Sequence, residues 1–406
     1  MEKILIMKNN FKTIKKYNQN NKSDSFVGLR ITNEEIEFVF PYKYEIPTKE
    51  LQLKKEMLNL IKLIDRYKTE KNINDKKFQN NFFPFNSYLW IIENYIKNGY
   101  YEEQEYKYQN GIKGKINWKK TIKNNKIYFN NEEIVYKELI TKQVNHNINS
   151  IITKIHMFCV QEATKVMGWY YGVNEISVPK LNMQENQMIE ILKSEIKKTF
   201  LDSKKELLLN MIKIIEGVDI SCYNTKRFEI TTSEFEYIFE RLVEERFGTE
   251  DIKKYYPTAT WHVQKVQKET RPLRPDSILK DKDNNIYILD AKYYNYGYSK
   301  QIKDLPDTYS INKQITYAEN VKENKQDIKD VFNIFILPYK AEEKDEYLKY
   351  EGYATASWKN EKELETGSYS KVHVILVDLK KLINNTYGTK QQNIEKLINV
   401  LEEFKF

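Results

Sequence analysis

The sequence predicts an α/β protein: a mixed α+β region over residues 1–220, then a domain over 221–406 built as a central mixed β-sheet flanked by helices. Three observations carry this expectation. Apolar residues recur at helical spacing in several runs of the first half, between short alternating runs. The polar stretch Gly217–Arg227 separates the halves. After it the pattern reads helix, three strands, helix, strand, the order of an α/β core.

Along the chain, Phe26–Arg30 and Ile36–Phe40 alternate apolar and polar residues and read as short strands. Leu51, Leu53, Met57, Leu60, Ile61 and Ile64 fall at helical spacing, predicting a helix from Thr48 to about Thr69. A second helix is expected over Ser87–Ile96, strands and turns through Lys142, and a long helix over Asn149–Tyr170. Residues 181–216 read as a helical hairpin. Thr231–Phe247 reads as a helix capped by Thr231, Thr232 or Ser233. Strands follow at Ala259–Val266, Pro275–Leu279 and Asn285–Tyr293, then a helix over Ile311–Val321 and an apolar strand over Val331–Leu337. Further strands at Gly352–Ser357 and Val372–Val377 and a C-terminal helix complete the pattern. Within Ala259–Val266, the alternation around Trp261 and Val263 reads as a packed strand rather than a base-stacking platform.

Length and composition bound the function. A chain of 406 residues is long enough for two or three domains, each with its own core. Aromatics make up 14%, too many for a disordered tail. Two Cys cannot build a disulfide framework, so a reducing cytoplasm is expected. No apolar run is long enough to span a bilayer, and the N-terminus lacks a signal-peptide pattern, so no membrane partner is expected. The net charge of +8 comes from a basic set of 66 residues, of which seven are Arg. That bias fits a lysine-coated surface drifting with an AT-rich genome. Arg survives where planar or bidentate contacts matter, and Arg227, Arg241, Arg246, Arg271 and Arg274 cluster in one segment.

The strongest chemical signal lies at the end of that segment. Arg274-Pro275-Asp276 is followed by Asp290-Ala291-Lys292, with the polar run Lys280–Asn285 between them as a hairpin turn. A hairpin brings the end of its second strand beside the start of its first. Asp276 and Asp290 can therefore converge on one divalent cation, and Asp290 and Lys292 share a face because side chains alternate. Two carboxylates bind a hard cation such as Mg²⁺, which polarises a phosphate and acidifies a bound water. A neighbouring ammonium offsets charge in the transition state. Glu236 and Glu240 stand one turn apart on the preceding helix, either able to supply a third acid. Gln314 and Tyr317 lie on the following one.

This arrangement resembles the PD-(D/E)xK nuclease superfamily, and more narrowly the LlaJI family of restriction endonucleases, related to the McrC nuclease subunits. The matching stretches are Lys113-Gly-Lys-Ile-Asn-Trp118-Lys-Lys-Thr121-Ile, Ile151–His156 through Gly168-Trp169, Phe235–Glu240, Leu273–Asp276, Leu289–Tyr293 and Lys313–Tyr317. They cover about residues 100–320. The resemblance implies that Asp276 and Asp290 are metal ligands, with the Ala291 carbonyl a further candidate. It implies that Glu240 completes the metal shell directly or through water. Lys292 would orient the attacking water, and Gln314 would support the site or touch a scissile-strand phosphate. It also implies duplex DNA as substrate, with a cognate DNA methyltransferase in the same restriction–modification system. An McrC-like subunit would instead need an AAA+ GTPase partner, and a third possibility is a non-catalytic DNA-binding protein on a nuclease-derived fold.

DNA contact has a second candidate. Lys107, Lys113, Lys115, Lys119, Lys120, Lys123 and Lys126 lie in a stretch without an acid, with Trp118 among them. Such density suits phosphate binding. The alternative is a solvated lysine-rich hairpin with Trp118 in the core. Arg271 and Arg274 flank the first catalytic strand as phosphate clamps or base readers, or as salt-bridge partners of Asp281 or Glu269. His156 and Cys159 fall at zinc-ligand spacing on an apolar helix face, but no second pair accompanies them; they are assigned to the core, with no zinc. No phosphate-binding P-loop occurs, since Gly111-Ile-Lys-Gly-Lys lacks the spacing, so no nucleotide site is expected.

Overall fold

The computed structural model describes residues 7–9, 12–18, 26–31, 35–74, 84–130, 133–217, 228–324, 327–342, 346–359 and 368–404. They form a mixed α/β protein whose elements fall into two compact units. One is drawn chiefly from residues 12–79 and 229–406, the other from 80–228. The chain passes from one unit to the other near residue 228. The expected division placed all of residues 1–220 together, whereas residues 12–79 group with the C-terminal part. Most of the expected linker, residues 218–227, lies outside the described residues.

The physical reason for that grouping is long-range packing that no local pattern encodes. Helix Glu50–Asn74 packs on strand Val27–Ile31 and on helices Phe235–Phe247 and Leu379–Asn384. Polar contacts fix it there. Tyr44 donates to Glu56 at 2.8 Å, Asn384 Nδ2 donates to Tyr44 at 2.8 Å, and Asn59 donates to Asn384 at 3.0 Å. Tyr67 and Arg66 both donate to Glu245, at 2.5 and 2.6 Å. In the same unit, Glu35–Phe40 pairs in parallel with Lys12–Asn18 and antiparallel with Val27–Ile31. Gly28 sits at φ +130°, where a Cβ would lie 2.2 Å from the Ile230 carbonyl oxygen, so only glycine allows this close approach.

The central sheet of this unit runs Ser277–Lys280, Ile286–Ala291, Val331–Tyr339, Lys371–Asp378, Leu348–Thr355. Its first and last pairings are antiparallel and its two middle pairings parallel. Helix Thr308–Asn324 makes the crossover between the first parallel pair. It buries Tyr317, Ala318 and Val321 against Ile278, Ile286, Ile288 and Val331. Helix Phe235–Phe247 packs on Ser277–Lys280 and Ile286–Ala291. The central strands are buried almost throughout and mostly apolar, because helices cover the sheet.

The other unit joins helices Phe85–Asn98, Ile151–Tyr171, Glu185–Lys198 and Asp202–Gly217 with a sheet of Glu103–Asn110, Ile140–Asn147 and Lys115–Ile116. Ser150 caps the long helix by accepting from the Thr153 N–H at 3.2 Å. His156 and Cys159 are fully buried. Burial lowers the imidazole to about 4, and its Nδ1 accepts from the Tyr101 N–H. Among the described residues, no helix is long and apolar enough to cross a membrane.

Two expectations are corrected. Thr231 and Thr232 belong to strand Phe228–Thr232, and the helix starts at Phe235, because pairing within a sheet takes the residues that would otherwise cap it. The expected strand Ala259–Val266 is a two-stranded ribbon, Thr260–Val263 against Val266–Glu269, with Gln264 and Lys265 both at positive φ in its turn. It is not packed: Trp261, Val263 and Val266 are 65%, 53% and 63% exposed.

Candidate active site

The hairpin that carries the acidic residues is set by its turn. Asp281 accepts from the Asp283 and Asn285 backbone N–H groups, the Asn285 side chain and the Tyr287 hydroxyl, at 2.8–2.9 Å. This fixes the register Ser277↔Leu289. Asp276, one residue before that pair, comes beside the end of the second strand, where its Oδ2 accepts from the Ala291 N–H at 2.9 Å. From the crossover helix, the Tyr317 hydroxyl donates to the Arg274 carbonyl at 2.7 Å and ties down the approach to Asp276.

Asp290 is 2% exposed and faces the same way as Ile288, toward the crossover helix. Its Oδ2 lies 2.6 Å from Lys292 Nζ, while its Oδ1 is buried without a hydrogen-bond partner among the described residues. Gln314 is also buried. Its Nε2 donates to the Ile334 carbonyl at 3.5 Å, and its Oε1 has no partner among the described residues. Ile334 pairs with Leu289, so Gln314 is held next to the Asp290 position of the sheet.

Electrostatics bind these groups into one site. Burial, then the charges of Asp290 and Glu240, push the Asp276 carboxyl up to about 8, against the opposing Ala291 N–H and Lys292 ammonium. Burial also raises Glu240; Lys292 pulls it down, and Asp290 and Glu236 push it up. Burial disfavours the Lys292 ammonium, but Asp290 and Asp276 outweigh it and hold the lysine above its ordinary value. Lys292 is thus favoured in its charged form.

Three carboxyl groups around one ammonium leave an acid excess that a hard cation would relieve. The residues fit such an ion in part. Asp290 Oδ1 is a buried carboxylate oxygen in need of a partner, and Asp276 is an acid whose proton a cation can displace. Among the described residues, no three His, Cys, Asp or Glu side chains are grouped closely enough to hold a metal ion. A cation would therefore rest on Asp276 and Asp290, with Glu240 acting beyond direct contact.

The LlaJI restriction endonuclease family model matches residues 26–357, most of the chain. The chain belongs to that family.

The match extends beyond the stretch the sequence motifs mark. The chain is 24% identical over 272 residues to the type II restriction enzyme BsuMI component YdjA of Bacillus subtilis (strain 168). That match covers 59% of this chain and 55% of the relative, so the chain spans about half the length of the curated relative it matches. Among solved structures, it is similar to a chain of the Thermococcus gammatolerans McrB AAA+ hexamers with bound McrC, at 10% identity and a TM-score of 0.37. That likeness covers 93% of this chain and 82% of the other.

The DNA-contact candidates of this LlaJI family member fall in two places. In the unit drawn from 80–228, Lys115 lies on a short strand, and Trp118, Lys119 and Lys120 open helix Trp118–Asn124, which Asn117 caps by accepting from the Lys120 N–H at 3.0 Å. All seven lysines of the block are exposed. Trp118 is 54% exposed, with its ring edge-on to Tyr136, so it is not a core residue. Lys120 Nζ stands 3.3 Å over the Tyr108 ring. Gly114 lets this loop approach Lys142: a Cβ there would sit 2.7 Å from its carbonyl oxygen. In the other unit, Arg271 and Arg274 are exposed on the chain entering Asp276, with the Arg274 guanidinium 5.7 Å from the Tyr256 ring centroid. Asp281 turns its oxygens to the hairpin turn, and among the described residues the alternative of a salt bridge from these arginines to Asp281 is not made.

Proposed function

We propose that this chain is a restriction-system endonuclease with a PD-(D/E)xK core that hydrolyses phosphodiester bonds of double-stranded DNA with Mg²⁺. The observation that carries the reading is the hairpin in which Asp276 is bonded to Ala291 N–H and Asp290 to Lys292, with the charge of Glu240 acting on Asp276. When bound between Asp276 and Asp290, Mg²⁺ would polarise the scissile phosphate and lower the pKa of a coordinated water. The protein supplies the rest. Asp276 gives up its proton to admit the ion. Lys292, held protonated by Asp290, orients the attacking water and offsets charge on the transition state. Glu240 would keep the local field negative enough to retain a cation, and Gln314 would support the site or touch a scissile-strand phosphate. The lysine block and Arg271 and Arg274 bind phosphates. The enzyme would act in the cytoplasm beside a cognate DNA methyltransferase.

A second reading has one observation in its favour. The curated relative is named as a component of a restriction enzyme, which fits a nuclease subunit active only with a companion, such as an AAA+ GTPase. Purified protein with Mg²⁺ on unmodified plasmid separates the two. Linear or nicked product without nucleotide or companion supports the independent enzyme. Product only after companion and GTP are added supports the subunit. A wild-type protein inert in both conditions refutes the nuclease reading.

A further inference from the structure

The ribbon Thr260–Glu269 is an element the catalytic account leaves unused. Its pairing is Thr260↔Glu269, Trp261↔Lys268, His262↔Gln267 and Val263↔Val266. Cross-strand partners share a face, and residues two apart share it as well. One face therefore carries Trp261, Val263, Val266 and Lys268; the other carries Thr260, His262, Gln267 and Glu269. Each of the three apolar residues on the first face is more than half exposed. A solvated two-stranded ribbon gains nothing by presenting tryptophan and two valines to water, so this face has the composition of a contact surface.

Charge indicates what it contacts. The ribbon and its exit carry Lys265, Lys268, Arg271 and Arg274 against the single carboxylate of Glu269. Its base is fixed rather than hinged. Thr270 N–H donates to the Ala259 carbonyl at 2.7 Å, Leu273 N–H donates to the Pro257 carbonyl at 3.0 Å, and the chain then runs through Arg274 into Asp276. From that clamp to the Gln264–Lys265 tip is five residues, about 17 Å of strand. A groove about 12 Å wide admits a two-stranded ribbon, and 17 Å corresponds to roughly five base pairs.

We infer that this ribbon is a DNA-gripping arm. It lies in the groove of the duplex within about five base pairs of the scissile phosphate. Trp261, Val263 and Val266 pack on sugars and thymine methyls, while Lys265 and Lys268 hold the flanking phosphates. The arm rests on the proposed nuclease function for its substrate, but its own signature is binding rather than cleavage.

The test uses the full chain, a labelled duplex and chelator, so that binding is read without cutting. The double variant Trp261→Ala/Lys268→Ala alters the apolar face, and His262→Ala/Gln267→Ala alters the opposite face of the same ribbon. The first is expected to weaken duplex binding about tenfold or more and to shorten the protected footprint by about five base pairs on one side. The second should remain within about twofold of wild type. Lys265→Ala/Lys268→Ala should flatten the slope of log affinity against log salt by about 1.8. Equal losses from both faces, or none from the apolar face, overturn the arm. Intact DNA binding with lost association to a companion polypeptide also overturns it, and makes the face a protein-docking surface. Wild-type protein that binds duplex but never cuts it with Mg²⁺, alone or with its companion, removes the nuclease reading and leaves the arm to be judged on the binding data. Wild-type protein that binds no duplex overturns the arm.

Discussion

Asp276 gives the account a quantitative handle, because its proton must leave before a cation can occupy the site. Burial and the charges of Asp290 and Glu240 place this carboxyl at about 8, against an ordinary value of 3.8. At pH 7 it is therefore largely protonated, and ligation by Mg²⁺ must expel that proton. The sign follows directly. Below pH 8 each unit of acidification should weaken Mg²⁺ binding about tenfold, and above it the affinity should level off. Isothermal titration of Mg²⁺ into DNA-free protein, repeated at pH 7 in two buffers of different ionisation enthalpy, counts the protons released. Wild type should release close to one. Asp276→Asn keeps an acceptor for the Ala291 N–H but cannot ionise, so it should release almost none and bind more weakly. Proton-free binding by wild type at pH 7, with affinity flat between pH 6 and pH 8, would refute the reasoning.

Four further outcomes are expected. In metal-free protein the raised folded pKa of Asp276 means that its contribution to stability is full below the unfolded value near 4 and is lost as pH rises toward 8, at up to about 1.4 kcal/mol per unit. Urea midpoints across that range should fall in wild type and fall less in Asp276→Asn. Replacing Lys115, Lys119 and Lys120 together by Ala should reduce the salt slope of DNA binding by about 2.7; an unchanged slope would leave these residues as a solvated surface. Gly28→Ala places a methyl 2.2 Å from the Ile230 carbonyl oxygen and should destabilise the protein by about 1–3 kcal/mol, measurable as a lower urea midpoint. Tyr317→Phe removes the hydrogen bond to the Arg274 carbonyl and should cost about 1 kcal/mol of stability while slowing cleavage through a looser Asp276.

Much of the site could be read from the sequence because it is local. Asp276, the polar run through Asp281 and Asn285, and Asp290-x-Lys292 form one hairpin, whose turn chemistry and period-two alternation fix the geometry within about twenty residues. The sequence leaves Glu236 and Glu240 as alternatives, because both acids stand one turn apart on the same helix. What the sequence hid was either nonlocal or lacked its usual marker. The grouping of residues 12–79 with 229–406 depends on contacts such as Tyr67 to Glu245, which leave no local pattern. The Thr260–Glu269 ribbon turns on Gln264 and Lys265 at positive φ, where Asn-Gly would have announced a hairpin, so its alternation passed for a buried strand. Trp118 shows the same blindness: an aromatic among lysines does not say whether it faces core or solvent, and here it faces solvent.

The central claim is that the Asp290–Lys292 pair beside Asp276 cuts DNA. Its most direct test is cleavage of a duplex with Mg²⁺ by wild type, Asp290→Ala and Lys292→Ala, with any required companion present and binding measured on the same samples. The account predicts that both variants lose cleavage by several orders of magnitude while binding duplex nearly as tightly as wild type. Cleavage at the wild-type rate by both would contradict it.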